Sequence, residues 1–163
     1  MKIVVSACLM GENCKYNGLD NYHRELVEAC ERTGTEVLLV CPEVFGGLPT
    51  PRKPSEIVNG EVRTCEDISV DREFRLGAQR ALDMCEHAGG PEEIVACILQ
   101  DRSPSCGAGR IYDGTFSGKL TAGNGVFVDL LLRHGYRVIP ASEFDPSMLE
   151  HCPQHSNPTL SHG

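Results

Sequence analysis

Short, nearly continuous apolar runs alternate along this chain with longer stretches whose apolar residues recur every three or four positions. Ile3–Ala7, Glu36–Cys41, Ile94–Leu99 and Tyr136–Ile139 are runs of the first kind, the pattern of strands buried on both faces of a sheet. Tyr22–Thr33 is of the second kind. It carries Tyr22, Leu26, Val27 and Cys30 at helical spacing and stops at Gly34. Ser69–His87 presents Val70, Phe74, Ala78, Ala81 and Cys85 on one stripe and ends at Gly89-Gly90-Pro91. Asn124 predicts a cap for a helix over Gly125–His134, which Gly135 stops. Asn59-Gly60 within Glu56–Thr64, and Asp113-Gly114 within Arg110–Leu120, predict two hairpins. Pro42–Pro54 holds four prolines and two glycines and reads as a loop of fixed shape, while Asp145–Glu150 reads as one helical turn. Strands alternating with helices predict an α/β fold. The expected architecture is a single-domain parallel-type sheet of about four core strands flanked by helices, with two inserted β-hairpins. It spans residues 1–150, and a polar tail follows over 151–163.

Composition narrows the class. The chain has 163 residues, 40% of them hydrophobic, enough for one domain with a real core. Nine cysteines, an odd number, with no visible signal peptide, argue against a disulfide scaffold and for a reducing cytoplasm. The longest apolar runs are far too short to span a bilayer, so no membrane partner is expected. A net charge of −8 disfavours a broad footprint on intact nucleic acid, but leaves room for a small anion held by a few local charges.

The cysteines differ by position. Cys30 and Cys85 fall on helical stripes and Cys97 within a strand, where cysteine behaves as a small hydrophobe. Cys65 follows a hairpin, and Cys152 lies in a short His/Cys tract of the tail. Cys8, Cys41 and Cys106 instead each leave a strand-like run and enter a Gly- or Pro-rich loop. In an open parallel sheet such loops converge on one crevice. Three thiolates with no obvious fourth point to a metal or iron–sulfur site with an open coordination position. Cys14, six residues beyond the first of them on the same loop, is a candidate spare ligand or redox partner for that site.

Polar residues accompany these loops. Glu43 stands two residues after Cys41 and suits proton transfer. Ser103 and Ser105 flank Pro104 just before Cys106, and Ser6 stands one residue from the end of the first strand; any of these hydroxyls can position water or a substrate oxygen. Lys15, Asn17, Arg52 and Lys53 are candidates for a phosphate or carboxylate of a small substrate. A phosphate-cradling reading of Cys106-Gly-Ala-Gly-Arg110 fails, because the arginine follows too soon to fold back over an oxyanion. A Cys–His pair also fails on sequence, since His23, His87 and His134 lie on or beside predicted helices, away from the crevice.

The segments VVSACLMGENCKYNG, CPEVFGGLPTPR, DRSPSCG and GNGVF together resemble a bacterial family, once known only as a domain of unknown function, whose members are associated with thiouracil desulfidase activity. The resemblance runs from Met1 to about Phe144, as in a short single-domain member. It implies a 4Fe–4S cluster held by Cys8, Cys41 and Cys106 with one open iron, and a catalytic pair of Glu43 and Ser103, the latter favoured over Ser105. Ser6, Lys15, Asn17, Arg52 and Ser105 are then expected to contact substrate. The implied partner is a small thiolated pyrimidine, thiouracil or a 4-thiouridine-type nucleotide, and the products are the oxo base and sulfide. The rival class is an iron–sulfur or metal-binding redox or sensor module without hydrolytic activity.

Overall fold

The computed structural model describes residues 1–150. The His/Cys tract around Cys152 lies outside the described residues. Strand β1 (Lys2–Ser6) leads through a 3₁₀ turn and a loop to helix α1 (Arg24–Thr33), then β2 (Glu36–Val40) and a short helix α2 (Pro42–Phe45). The hairpin β3 (Ser55–Val58) and β4 (Glu61–Thr64) precedes the long helix α3 (Asp71–His87) and β5 (Ile94–Leu99). A second hairpin, β6 (Arg110–Tyr112) and β7 (Leu120–Ala122), precedes α4 (Val126–Arg133), β8 (Val138–Pro140) and α5 (Ser147–Glu150).

The main sheet is parallel with strand order β2-β1-β5-β8. Its two faces follow from side-chain alternation. Ile3, Val5, Ala96, Ile98 and Ile139 point to one side and pack with Leu26, Ala29 and Cys30 of α1 and Leu149 of α5. Val4, Val40, Cys97 and Leu99 point to the other and pack with Phe74, Ala78, Ala81, Leu82 and Cys85 of α3 and Phe127, Val128 and Leu131 of α4. Both faces are covered, which is why the strands read as continuous apolar runs. Cys30, Cys85 and Cys97 are buried in these cores.

The chain departs from the expected elements in ways that matter locally. Helix α1 begins at Arg24, so Tyr22 is exposed and His23 becomes the N-cap, its Nδ1 accepting from the Leu26 amide at 3.2 Å. Pro42–Pro54 is not all loop, because Pro42 opens the turn α2, as proline can at a first helical position. Asn124 does not cap α4. Gly125 is the N-cap, and the Asn124 carboxamide instead accepts from the Gly109 amide at 2.7 Å. The Asp113-Gly114 hairpin is wider than a two-residue turn, since residues 113–119 connect its strands. The Asn59-Gly60 turn forms as expected, with both residues at positive φ.

Strand order reverses beside β1, because β1 leads to β2 on one side while β5 lies on the other. Ligands of open parallel sheets bind outside the carboxyl ends of the strands at such a switch point. Among the described residues, no helix is long and apolar enough to cross a membrane.

Candidate functional site

A cleft of about 930 Å³ opens at that switch point. Cys8, Cys41 and Cys106, far apart in sequence, all line it. Each is fixed by a different device. Cys8 sits in the 3₁₀ turn Ala7–Met10, which ends at Gly11 with φ +97. The loop beyond returns over it: the Asn21 amide donates to the Cys8 carbonyl at 3.0 Å, and Asn21 Nδ2 donates to Cys8 Sγ at 3.5 Å. Cys41 is the N-cap of α2, which lies directly on α3. That approach is possible only because two glycines meet. A Cβ on Gly77 would fall 1.6 Å from the Pro42 carbonyl oxygen, and one on Gly46 would fall 1.9 Å from that of Glu73. Cys106 is held from the N-terminus of α4. The amides of Val126 and Phe127 donate to the carbonyls of Pro104 (2.8 Å) and Ser105 (3.0 Å). A Cβ on Gly125 would lie 2.4 Å from the Ser105 carbonyl, which gives the GNGVF segment its physical reason.

Glu43 faces the cleft from the first turn of α2. One carboxylate oxygen accepts from Arg52 Nε at 3.0 Å, and the other accepts from Ser105 Oγ at 2.7 Å. The two side chains of the ion pair are only 7% (Arg52) and 15% (Glu43) exposed, so the carboxylate is oriented within a largely dry corner. The remaining guanidinium donors go to the carbonyls of Pro49 and Cys14 and to Thr50 Oγ1. Arg52 therefore ties the Cys14 loop to the Cys41 loop, and its fork is spent inside the protein rather than free for a substrate anion. Ser103 Oγ accepts from the Cys106 amide at 2.8 Å and lies 3.3 Å from Ser105 Oγ. A continuous line of donors thus runs from the Cys106 amide through Ser103 and Ser105 to Glu43.

The thiols are not equivalent. Cys14 lines the cleft beside Cys41 and packs against the cluster that holds Cys8. Its hydrogen bond holds the Cys41 thiol down at about 7, against burial and the Glu43 charge, and the Arg52 charge adds to the lowering. Cys8 is lowered too, first by Cys14 and further by Asn21, against burial. Cys14, the shared donor, is driven upward by both contacts and by burial. Cys106 is pushed up by burial, opposed by hydroxyls from Ser6 and Ser105.

Several expected residues sit elsewhere or do something else. Ser6 lines the cleft but is buried, and its hydroxyl accepts from the Gln100 amide at 2.9 Å. Lys15 lines the cleft with its ammonium over the Tyr16 ring. Asn17 does not line the cleft; its carboxamide oxygen accepts from the Leu19 amide in an exposed turn. Lys53 pairs with Glu66 away from the cleft. His23, placed away from the crevice by its apparent helix, in fact lines it, because α1 starts one residue later. Both of its ring nitrogens are engaged, one by the Leu26 amide and one against the Ala141 carbonyl. Sequence reasoning missed Asn21, Gln100 and Arg102 in the lining, since each stands in a loop without periodicity, and Tyr22, since its spacing imitates a helix that starts only at Arg24.

The donor set fits an iron–sulfur cluster better than a lone ion. Three free thiols from three loops surround one roomy cleft. Among the described residues, no three His, Cys, Asp or Glu side chains are placed to hold a single metal ion. Thiolates are soft donors suited to iron, and a coordinated thiol loses its proton, which accommodates even the buried Cys106.

Comparison with known proteins points the same way. The sequence pattern of the 2-thiouracil desulfurase family matches residues 3–143. The uncharacterized protein YbbK of Bacillus subtilis (strain 168) is 36% identical over 153 residues, covering 88% of this chain and 97% of that protein. Among solved structures, the [4Fe-4S]-dependent thiouracil desulfidase TudS is similar with a TM-score of 0.80 and 42% identity, covering 88% of this chain and 92% of that one.

Proposed function

We propose that this chain, which belongs to the 2-thiouracil desulfurase family, works as a [4Fe-4S]-dependent desulfidase on a small thiolated pyrimidine. The overall change replaces a C=S bond by C=O, with water entering and sulfide leaving, so no electrons are exchanged. Cys8, Cys41 and Cys106 would hold the cluster, three ligands for four irons. When bound, the cluster supplies a thiophilic Lewis acid for the thiocarbonyl sulfur.

The protein's own groups handle water and protons. Glu43 takes the proton of the attacking water. Arg52 and Ser105, one on each carboxylate oxygen, hold it in a single orientation, so the proton is accepted from the cleft side. Ser103 steadies the incoming oxygen from the rim of the same loop. Ser105, whose hydroxyl is turned onto Glu43, positions the carboxylate rather than the substrate. Lys15 and Ser6 border the space the pyrimidine would fill, and a nucleotide's polar end would lie toward Lys15. The observation that carries this reading is the oriented Glu43 carboxylate inside a cleft that Cys8, Cys41 and Cys106 line from three separate loops.

Anaerobic reconstitution with iron and sulfide tests it. The loaded protein should show thiolate-to-iron absorption and release sulfide from 2-thiouracil, 4-thiouracil or 4-thiouridine monophosphate. Alanine at Cys8, Cys41 or Cys106 should abolish iron retention, whereas Cys30→Ala and Cys85→Ala should keep it. A fully loaded protein that leaves every thiolated base and nucleotide untouched would favour a redox or sensor module instead.

A further inference from the structure

We propose that Cys14 is a displaceable fourth thiolate, occupying the open iron of the resting site and yielding it to the sulfur of the substrate. The inference rests on the function proposed above and concerns a residue outside its three-cysteine set.

Placement carries it. Cys14 is half-buried, lines the same cleft, and packs against the apolar cluster that holds Cys8. Its main chain is anchored at the site, because its carbonyl accepts from Arg52 Nη2 at 2.9 Å and lies 3.9 Å from Cys41 Sγ. The guanidinium that fixes it is the same one that orients Glu43. Its side chain shares the cleft lining with Cys8, Cys41 and Cys106. Cys30, Cys85 and Cys97 lie in the packed cores, and Cys65 is exposed outside the cleft. Cys14 is therefore the one cysteine beyond the three that the described structure brings to the cleft.

Chemistry supplies the role. A cluster held by only three protein thiolates would leave an iron exposed to the cleft, and soft iron prefers sulfur over oxygen donors. A tethered thiolate therefore outcompetes water in the resting state. A thiocarbonyl sulfur is also soft, so exchange between the two is closely balanced. Binding of Cys14 releases its proton to water, displacement takes one back, and the iron keeps its oxidation state. Three ligands on rigid elements stay in place, while the one on the loop after Gly11 can leave. The benefit is retention of an otherwise exposed iron.

Differential alkylation of the wild-type, cluster-loaded protein tests this without relying on turnover. Under anaerobic conditions iodoacetamide should spare Cys14 until 2-thiouracil is added, and then label it. Equal labelling with and without 2-thiouracil overturns the proposal. In parallel, loaded wild type and Cys14→Ala are exposed to ferricyanide, and growth of the 3Fe–4S electron paramagnetic resonance signal reports loss of the open iron. The variant should lose that iron on the order of 10-fold faster from the same starting load, the lower range for loss of a metal-site partner. An unchanged rate overturns the proposal, and so does a variant that never assembles the cluster, since Cys14 would then be a permanent ligand. Failure of wild type itself to hold a cluster would overturn the desulfidase reading and this inference together; a loaded, active wild type with freely labelled Cys14 would overturn this inference alone.

Discussion

Replacing Gly77 by alanine should disable the site from a helix that contributes no group to it. Gly77 is buried in the middle of α3, where alanine would ordinarily gain about 1 kcal/mol in helix propensity. Here the added methyl would sit 1.6 Å from the Pro42 carbonyl oxygen and 2.8 Å from the Gly46 nitrogen. Both obstacles are backbone atoms, so no side chain can rotate away. Restoring ordinary contact needs a displacement of roughly 2 Å between α2 and α3, far beyond what close-packed interiors absorb without cost. Overpacking of this kind costs about 1–3 kcal/mol, so the propensity gain is offset or exceeded. A net loss of about 1 kcal/mol lowers the melting temperature by roughly 2–4 °C in a domain of this size. The functional loss should be larger than the stability loss. Helix α2 carries Glu43 and starts from Cys41, and misplacement of a reacting group by about 1 Å can cost on the order of 10²-fold in rate. Thermal unfolding, iron content and 2-thiouracil turnover of Gly77→Ala are compared with Gln79→Ala, on the exposed side of the same helix. Gln79→Ala should stay near wild type in all three. Wild-type turnover and iron content in Gly77→Ala would refute the claim that this glycine contact positions Cys41 and Glu43.

Glu43→Gln should keep its iron and lose on the order of 10²–10⁴ in turnover, the usual cost of a missing general base; iron assay and sulfide release measure the two separately, and a variant without iron would make Glu43 a ligand. Arg52→Ala leaves a largely buried carboxylate with Ser105 as its remaining partner, so denaturant unfolding should show a loss of about 3 kcal/mol, the low end for a broken buried pair. Arg52→Lys should recover part of that stability but little turnover, because one ammonium cannot bridge Glu43, Cys14 and the Pro49–Thr50 turn at once. Asp71 is held below its usual range by Arg75 and the Val62 amide, which outweigh its desolvation. Its lowered folded-state value means its contribution is present above the ordinary carboxylate range and is lost as pH falls through the folded value, so Asp71→Asn should narrow the stability gap to wild type in melts taken below about pH 4.

Much of the frame was legible because its signals are local. The buried strands declared themselves as apolar runs, and Asn59-Gly60 announced its turn through two residues that tolerate positive φ. Strand exits at Cys8, Cys41 and Cys106 could be read as one crevice because parallel topology brings such ends together. The unread part is nonlocal or carried by single contacts. Nothing in the spacing of Arg52 reveals that its guanidinium would spend four hydrogen bonds holding two loops. Ser103 and Ser105 look alike in sequence, yet only Ser105 reaches Glu43, because the turn before Cys106 aims alternate side chains differently. Tyr22 mimicked the first apolar position of a helix that in fact starts at Arg24, and this one error moved His23 from the helix to the cleft. Gly46 and Gly77 looked like an ordinary loop residue and a weak point in a helix; only the close approach of two backbones explains them.

The distribution of rigidity around the cleft follows from what a three-cysteine site demands. Cysteines on one loop would move together and could collapse on one another. Cysteines on the loops after three strands keep their separation because the sheet holds those loops apart, and each has its own lock: Asn21 over Cys8, the glycine contact under Cys41, and the amides of α4 behind Cys106. The locks on Cys41 and Cys106 are backbone to backbone, insensitive to rotamer changes when a ligand enters. The lock on Cys8 adds the Asn21 side chain to its backbone amide, on a loop that also carries Cys14 and Lys15, so the adaptable wall of the cleft is the one that follows β1. Substrate entry should therefore be felt as movement of residues 11–22, while Glu43 stays fixed by Arg52 and Ser105 on the opposite side. Amide hydrogen exchange with and without 2-thiouracil checks this asymmetry, because protection should rise across 11–22 and stay level across α2 and the turn before Cys106.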